Sequence, residues 1–337
     1  MPNDIPGSHH DVVTQERSGE FLHDWVYDLH NRTILFRVGN LIFTTYAFLA
    51  GLAFATGFAV SLWYSTMLGI DAGTIAPYYL FVIVPSVLIG LRGFSVMLEW
   101  RELFRRPLQT IVKPGYMLHG GVLGGVVGMA IVAELTGIPF LRLVDGPAFA
   151  MPIGEAIARL GCYVYGCCWG RPTESRFGVR YTSPHSKVVR CAPHLHGVRI
   201  HPAQLYALVV YLAMYGLFFL WLPYAPFDGA IAGAFLIAHS VARYGLETFR
   251  QDDRGRLWGP ITHTHVYSAL MVLGGLACLF FGVNGTSALH LDRSVRFVSV
   301  ILDPTILPWI VAYGMVFGGA YGVHYRKVGS WLGIGAR

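Results

Sequence analysis

Charge is scarce in this chain. Only 13% of its 337 residues are Asp, Glu, Lys or Arg, against about a quarter in a soluble domain. With 54% hydrophobic residues and a mean hydropathy of +0.50, the shortage excludes an ordinary soluble globule and points to a polytopic membrane protein. The alternating pattern of a membrane barrel is also missing. The spans are therefore expected as helices, which satisfy their own backbone groups in lipid. No internal repeat and no low-complexity tract is visible. The five cysteines are an odd count without a small-domain disulfide framework. No cleavable signal peptide is apparent, and the first span is expected to double as the insertion signal. The net charge of +6 with pI about 9.1 then fits anionic headgroups rather than nucleic acid.

What is present is a series of long apolar runs. They place spans at roughly residues 40–64, 77–98, 119–135, 146–168, 201–222, 227–249, 266–283 and 307–324. The expected fold is an all-α polytopic membrane protein, a bundle of about seven core transmembrane helices plus one extra C-terminal span. Residues 1–33 read as a polar tail ending in a short interfacial helix near residues 21–29. Residues 34–285 form the membrane domain, and residues 286–337 hold a loop, the extra span and a tail. The longest polar segment between spans, residues 169–200, reads as a small extramembrane cap, because residues 177–182 have strand composition. Residues 251–255 read as a turn.

Alternating the spans brings the polar motifs to one face. Arg159 and the turn Gly170-Arg171-Pro172 fall there, with His119-Gly120-Gly121, the segment from His201 to Tyr206, and Arg243 with Glu247. The basic loops also lie on this face, which the positive-inside rule alone would put in the cytoplasm. An arginine inside an apolar span is costly unless it meets a cavity or a partner. His239, Arg243 and Glu247 recur at four-residue spacing, so they share a helical face and the last two can pair. Two arginines from separate helices make an anion site, and the guanidinium fork suits phosphate. His119 is the nearest acid/base candidate. Its glycine neighbours allow close approach of another helix or a lipid. Taken singly, each charged residue could be a structural pair, and Gln204 could be a buried hydrogen-bond partner.

The ordered set resembles the prolipoprotein diacylglyceryl transferase family, over roughly residues 34–282. The resemblance rests on Thr45-Tyr46, Gly90-Leu91-Arg92, His119-Gly120-Gly121 with Gly124-Gly125, Asp145, Arg159-Leu160-Gly161 and Gly170-Arg171-Pro172-Thr173. His201-Pro202-Ala203-Gln204-Leu205-Tyr206 and Arg243 with Glu247 and Arg250 complete it. It implies transfer of the diacylglyceryl group of phosphatidylglycerol to the lipobox cysteine of a prolipoprotein, without a cofactor. Glycerol phosphate leaves as a thioether forms. It implies a bacterial plasma membrane enzyme with its active site at the periplasmic, outer-leaflet face, against the charge rule. The implied catalytic residues are His119, Arg159, Arg243, Glu247 and Tyr46. The implied substrate contacts are Arg92, Gly120, Gly121, Cys162, Gly170, Arg171, Gln204 and His239.

The chain departs from the family pattern at several positions. Cys162 and Cys167 stand where many members carry Asn and Glu, Ala207 where Glu is frequent, and His239 where Tyr is common. An alternative therefore stays open: a diverged paralogue with another acceptor, or a Cys/His metal or thiol-redox membrane protein. Cys162, Cys167, Cys168 and Cys191 lie near four histidines, but their spacing matches no standard zinc pattern. No metal is expected.

Overall fold

Among the described residues eight long helices dominate, joined by short helices and three small sheets. The computed structural model describes residues 29–112, 118–251, 256–258, 261–285 and 291–330. The expected tail lies outside them up to residue 28, and the expected turn at 251–255 lies outside apart from Gln251.

The first apolar run does not begin as a helix. Its β-branched and aromatic residues form a hairpin, β1 (Ile34–Val38) and β2 (Leu41–Thr44), turning at Gly39 with φ +56°. β2 also pairs with β7 (Val323–Tyr325). Helix α1 (Thr45–Met67) starts where the Thr44 hydroxyl accepts the Ala47 N–H at 3.1 Å. Helix α2 runs through three pieces, Ala72–Tyr78, a π-turn at Tyr79–Ile83, and Val84–Leu98. Pro77 lies just before the π-turn and withholds a backbone donor. The remaining long helices are α3 (Leu118–Thr136), α4 (Phe140–Tyr165), α5 (Ala203–Trp221), α6 (Ala230–Glu247), α7 (His263–Val283) and α8 (Leu307–Gly322). Among the described residues, four helices are long and apolar enough to cross a membrane: Thr45–Met67, Ala72–Met97, Ala203–Tyr224 and Thr264–Val283. Large apolar side chains such as Ile89, Val127, Leu273 and Phe280 stay exposed on α2, α3 and α7, as a lipid-facing surface requires.

Helix α4 is the hub, packing against α1, α5 and α6. Tyr64, Phe149, Tyr211 and Ile231 fill the core between them. Asp145 lies within α4 rather than ahead of it. It is fully buried and accepts the N–H groups of Gly229 at 2.7 Å and Ala232 at 2.8 Å, so one helix caps the N-terminus of another. Arg142 pairs with Asp228 at 3.0 Å beside it.

Two helix seams depend on glycine. A Cβ on Gly90 of α2 would lie 2.1 Å from the Gly120 carbonyl oxygen of α3. Only a missing side chain permits that approach. Gly314, Gly318 and Gly322 line α8 against Ala47 and Gly51 of α1, and Thr44 Oγ1 donates to the Gly322 carbonyl at 2.9 Å.

The cap is present. β3 (Val179–Arg180) pairs with β4 (Arg199–Ile200) over a core of Tyr163, Tyr181, Val188 and Leu195. Burial pushes the Tyr181 phenol well above its ordinary value, so it stays protonated and donates to the Tyr163 carbonyl at 2.8 Å. A last hairpin joins β5 (Arg256–Trp258) to β6 (Ile261–Thr262).

Candidate anion site at one end of the bundle

Arg159 sits in the last two turns of α4, and its side chain is 17% exposed. Glu155, one turn earlier, approaches it at 3.7 Å through Oε2. The other oxygen of Glu155 lies 3.3 Å from His239 Nδ1 on α6. One turn further along α6, Arg243 pairs with Glu247 at 3.2 Å. The two helices thus carry mirrored pairs, Glu–Arg on α4 and Arg–Glu on α6. Tyr211 of α5 closes the third side. Its ring stacks on His239 at 5.6 Å and 12°, and the Arg159 guanidinium lies 5.6 Å from its centre.

The balance of charge defines what this cluster can bind. Two arginines face two carboxylates, so the pairs are already neutralised where water is scarce. A guanidinium paired with one carboxylate still has donors to spare. A diffuse anion such as a phosphodiester could take those donors from both helices at once.

A backbone strap holds the ends of these helices together. The Arg171 N–H donates to the Phe249 carbonyl at 3.0 Å, and the Arg171 carbonyl accepts from His201 N–H at 2.9 Å. Arg171 Nε also donates to the Arg250 carbonyl at 3.1 Å. Gly170 passes through this crossing, where a Cβ would lie 2.4 Å from the His201 carbonyl oxygen. The end of α4, the head of α5 and the end of α6 are therefore stitched at one level. Gln204, in the first turn of α5, is buried and donates from Nε2 to the Cys167 carbonyl at 2.7 Å. Its Oε1 is buried without a partner among the described residues. Tyr46, in the first turn of α1, lies where a Cβ on Gly161 would come within 3.0 Å of its ring, and it faces Tyr165 at 5.4 Å.

The structure thus gathers Arg159, Arg243, Glu247 and His239 into one cluster. Tyr46, Cys162, Gly170, Arg171 and Gln204 border the turn that follows Arg159. Arg92 donates to the Thr110 carbonyl beyond the end of α2. Gly120 and Gly121 pack directly on Gly90 and Leu91. His119 opens α3 next to that seam, and its side chain lies outside the described residues. Two further members of the cluster, Glu155 and Tyr211, go unnoticed in the sequence. Glu155 has a signal there, since it stands four residues before Arg159 in an apolar run. Tyr211 has none, being one aromatic among many in α5.

A helical bundle with apolar outer faces and arginine–carboxylate pairs partly buried at one end fits a multi-pass membrane protein. The sequence pattern of the prolipoprotein diacylglyceryl transferase family matches residues 33–281, and the chain belongs to that family. It is 24% identical over 257 residues to phosphatidylglycerol–prolipoprotein diacylglyceryl transferase 2 of Clostridium perfringens, covering 75% of this chain and 95% of the relative. The transferase of that name from Legionella pneumophila is 29% identical over 198 residues, 57% of this chain and 73% of its own. The Nitrobacter hamburgensis enzyme is 28% identical over 209 residues, 60% and 69% of the two chains.

Proposed function

We propose that this protein transfers the diacylglyceryl group of phosphatidylglycerol to the cysteine thiol in the lipobox of a prolipoprotein. The observation that carries the reading is that Arg159 lies over the Tyr211 ring while His239, stacked on that ring, stands one turn before Arg243 on α6. In the reaction the acceptor sulfur attacks the glyceryl carbon and the carbon–oxygen bond to phosphate breaks. Glycerol phosphate leaves and the thiol proton goes to a base. Negative charge builds on the departing phosphate, where preorganised guanidiniums are most effective. Arg159 and Arg243 hold that phosphate. Glu247 orients Arg243, Glu155 orients Arg159, and His119 takes the proton. Tyr46, Gln204 and Cys162 border the path of the lipid or the peptide, with Gly170 and Arg171 at its mouth. His239 links the two arginine pairs, and Arg92, Gly120 and Gly121 support the His119 end of α3.

The same reading puts all eight long helices across a bacterial plasma membrane, seven as the core and α8 as an eighth. The site then opens to the outer leaflet. The four strongly apolar helices support it, as do the others packed beside them. The test is a reconstitution. Purified protein in phosphatidylglycerol vesicles is mixed with a fluorescent lipobox peptide, and a mass increase of one diacylglyceryl group is expected. A well-folded sample that leaves the peptide unmodified would refute the reading.

Glu155 supplies a narrower expectation. Glu155→Gln removes the charge shared by Arg159 and His239, and a loss of about 1.4 kcal/mol lowers kcat/KM about tenfold. Glu155→Asp is expected to retain more activity than the amide. Equal activity of the amide and wild type would show that Arg159 is oriented without it.

A further inference from the structure

We propose that Cys162, Cys167 and Cys168 form a three-sulfur site for a soft monovalent d10 cation, of which Cu(I) is the best fit. Their Sγ atoms all lie within 4.8 Å of one another. A cation about 2.3 Å from each of three sulfurs sets them about 4.0 Å apart, so less than about 1 Å of closure is needed.

The chain is shaped to bring the sulfurs together. Cys162 lies in the last turn of α4, and Gly166 ends that helix in the left-handed region at φ +73°. Cys168 follows at φ +59°, one of two non-glycine residues in that region among those described. A side chain there is disfavoured, and this one places its sulfur back over the helix end. Two bonds lock the turn: Cys167 N–H donates to the Cys162 carbonyl at 3.1 Å, and Gln204 Nε2 to the Cys167 carbonyl at 2.7 Å.

The donor set selects the ion. Among the described residues no histidine or carboxylate joins the cluster, and an all-sulfur set favours soft metals. Zinc prefers a fourth ligand, whereas three sulfurs complete a trigonal site. Three thiolates around a monovalent cation leave negative charge, and the Arg159 guanidinium lies 4.0 Å from Cys168 Sγ to offset it. Each thiol that binds gives up its proton.

The experiment uses the full chain, reduced, stripped of metal and held under anaerobic conditions in detergent. Cu(I) is supplied through a chromophoric chelator as competitor, with Zn(II) in a parallel titration. Wild type is expected to take one equivalent of Cu(I) and to develop a thiolate-to-metal absorption band. Cys162→Ser, Cys167→Ser and Cys168→Ser should each lower the affinity at least tenfold, and Cys191→Ser and Cys278→Ser should not. Matching elution profiles and thermal midpoints establish that the serine variants fold. Failure of wild type to compete for Cu(I), or undiminished uptake by the triple serine variant, overturns the site. Tighter binding of Zn(II) than Cu(I) by the same sulfurs overturns the three-coordinate assignment. The readout is metal uptake, so none of these failures touches the transferase reading.

Discussion

Arg159→Ala and Arg243→Ala are each expected to lower kcat/KM for lipid transfer by about 100- to 1,000-fold, the cost of removing one charge-stabilising donor. In the proposed clamp the two helices present one guanidinium each to the same anion, so the losses should not add in the double variant. The lysine variants separate charge from geometry. A lysine keeps the positive charge but not the planar fork, so Arg159→Lys and Arg243→Lys should recover part of the activity. Stability needs its own check, because Arg159→Ala removes the arginine partner of a partly buried Glu155. Initial rates on reconstituted protein, together with elution profiles, provide both readouts. Arginine-to-alanine variants that fold and turn over at the wild-type rate would remove the phosphate clamp.

The second large effect concerns the seam between α2 and α3. Gly90→Ala puts a methyl group 2.1 Å from the Gly120 carbonyl oxygen. The obstacle is backbone, so no rotamer relieves it and the helices must separate. Overpacking of this kind costs about 1–3 kcal/mol, and the thermal midpoint and folded yield should both fall. Gly93→Ala, on the same helix, meets nothing within 4 Å, and Gly125→Ala meets only a Val87 methyl group at 3.6 Å. Both should melt like wild type. If Gly90→Ala melts with them, the seam is looser than the structure draws it. Because α3 also carries His119, the same substitution is expected to lower activity in whatever protein remains folded.

What the sequence shows of this molecule follows from what lipid makes costly. Arg159, Arg243 and Glu247 stand out because charge inside an apolar run needs a reason, and the structure supplies one by bringing them together. Glu155 obeys the same rule, yet it is masked by lying within the same motif as Arg159. Asp145 reads as a residue ahead of a helix, because nothing local reveals that it caps the helix beginning at Ala230. The hairpin of β1 and β2 is hidden for a different reason. Its residues suit a strand or an apolar helix equally, and the choice is made by β7, almost three hundred positions later in the chain. The cysteines illustrate the limit of spacing rules. Cys162, Cys167 and Cys168 match no ligand pattern along the chain, and they converge only through left-handed backbone at Gly166 and Cys168.

The contact between α1 and α8 has a consequence for how the protein is made. Thr44 and Gly322 are 278 positions apart. At about 5–20 residues per second, a ribosome needs roughly 15–60 s to go from one to the other. Throughout that interval the Ala47–Gly51 face of α1 is without its mate, and β2 lacks one of its two neighbouring strands. A nascent α1 must therefore be sheltered by α4, its other large neighbour, or by the insertion machinery. The last helix acts as a late clasp on the seven long helices made before it.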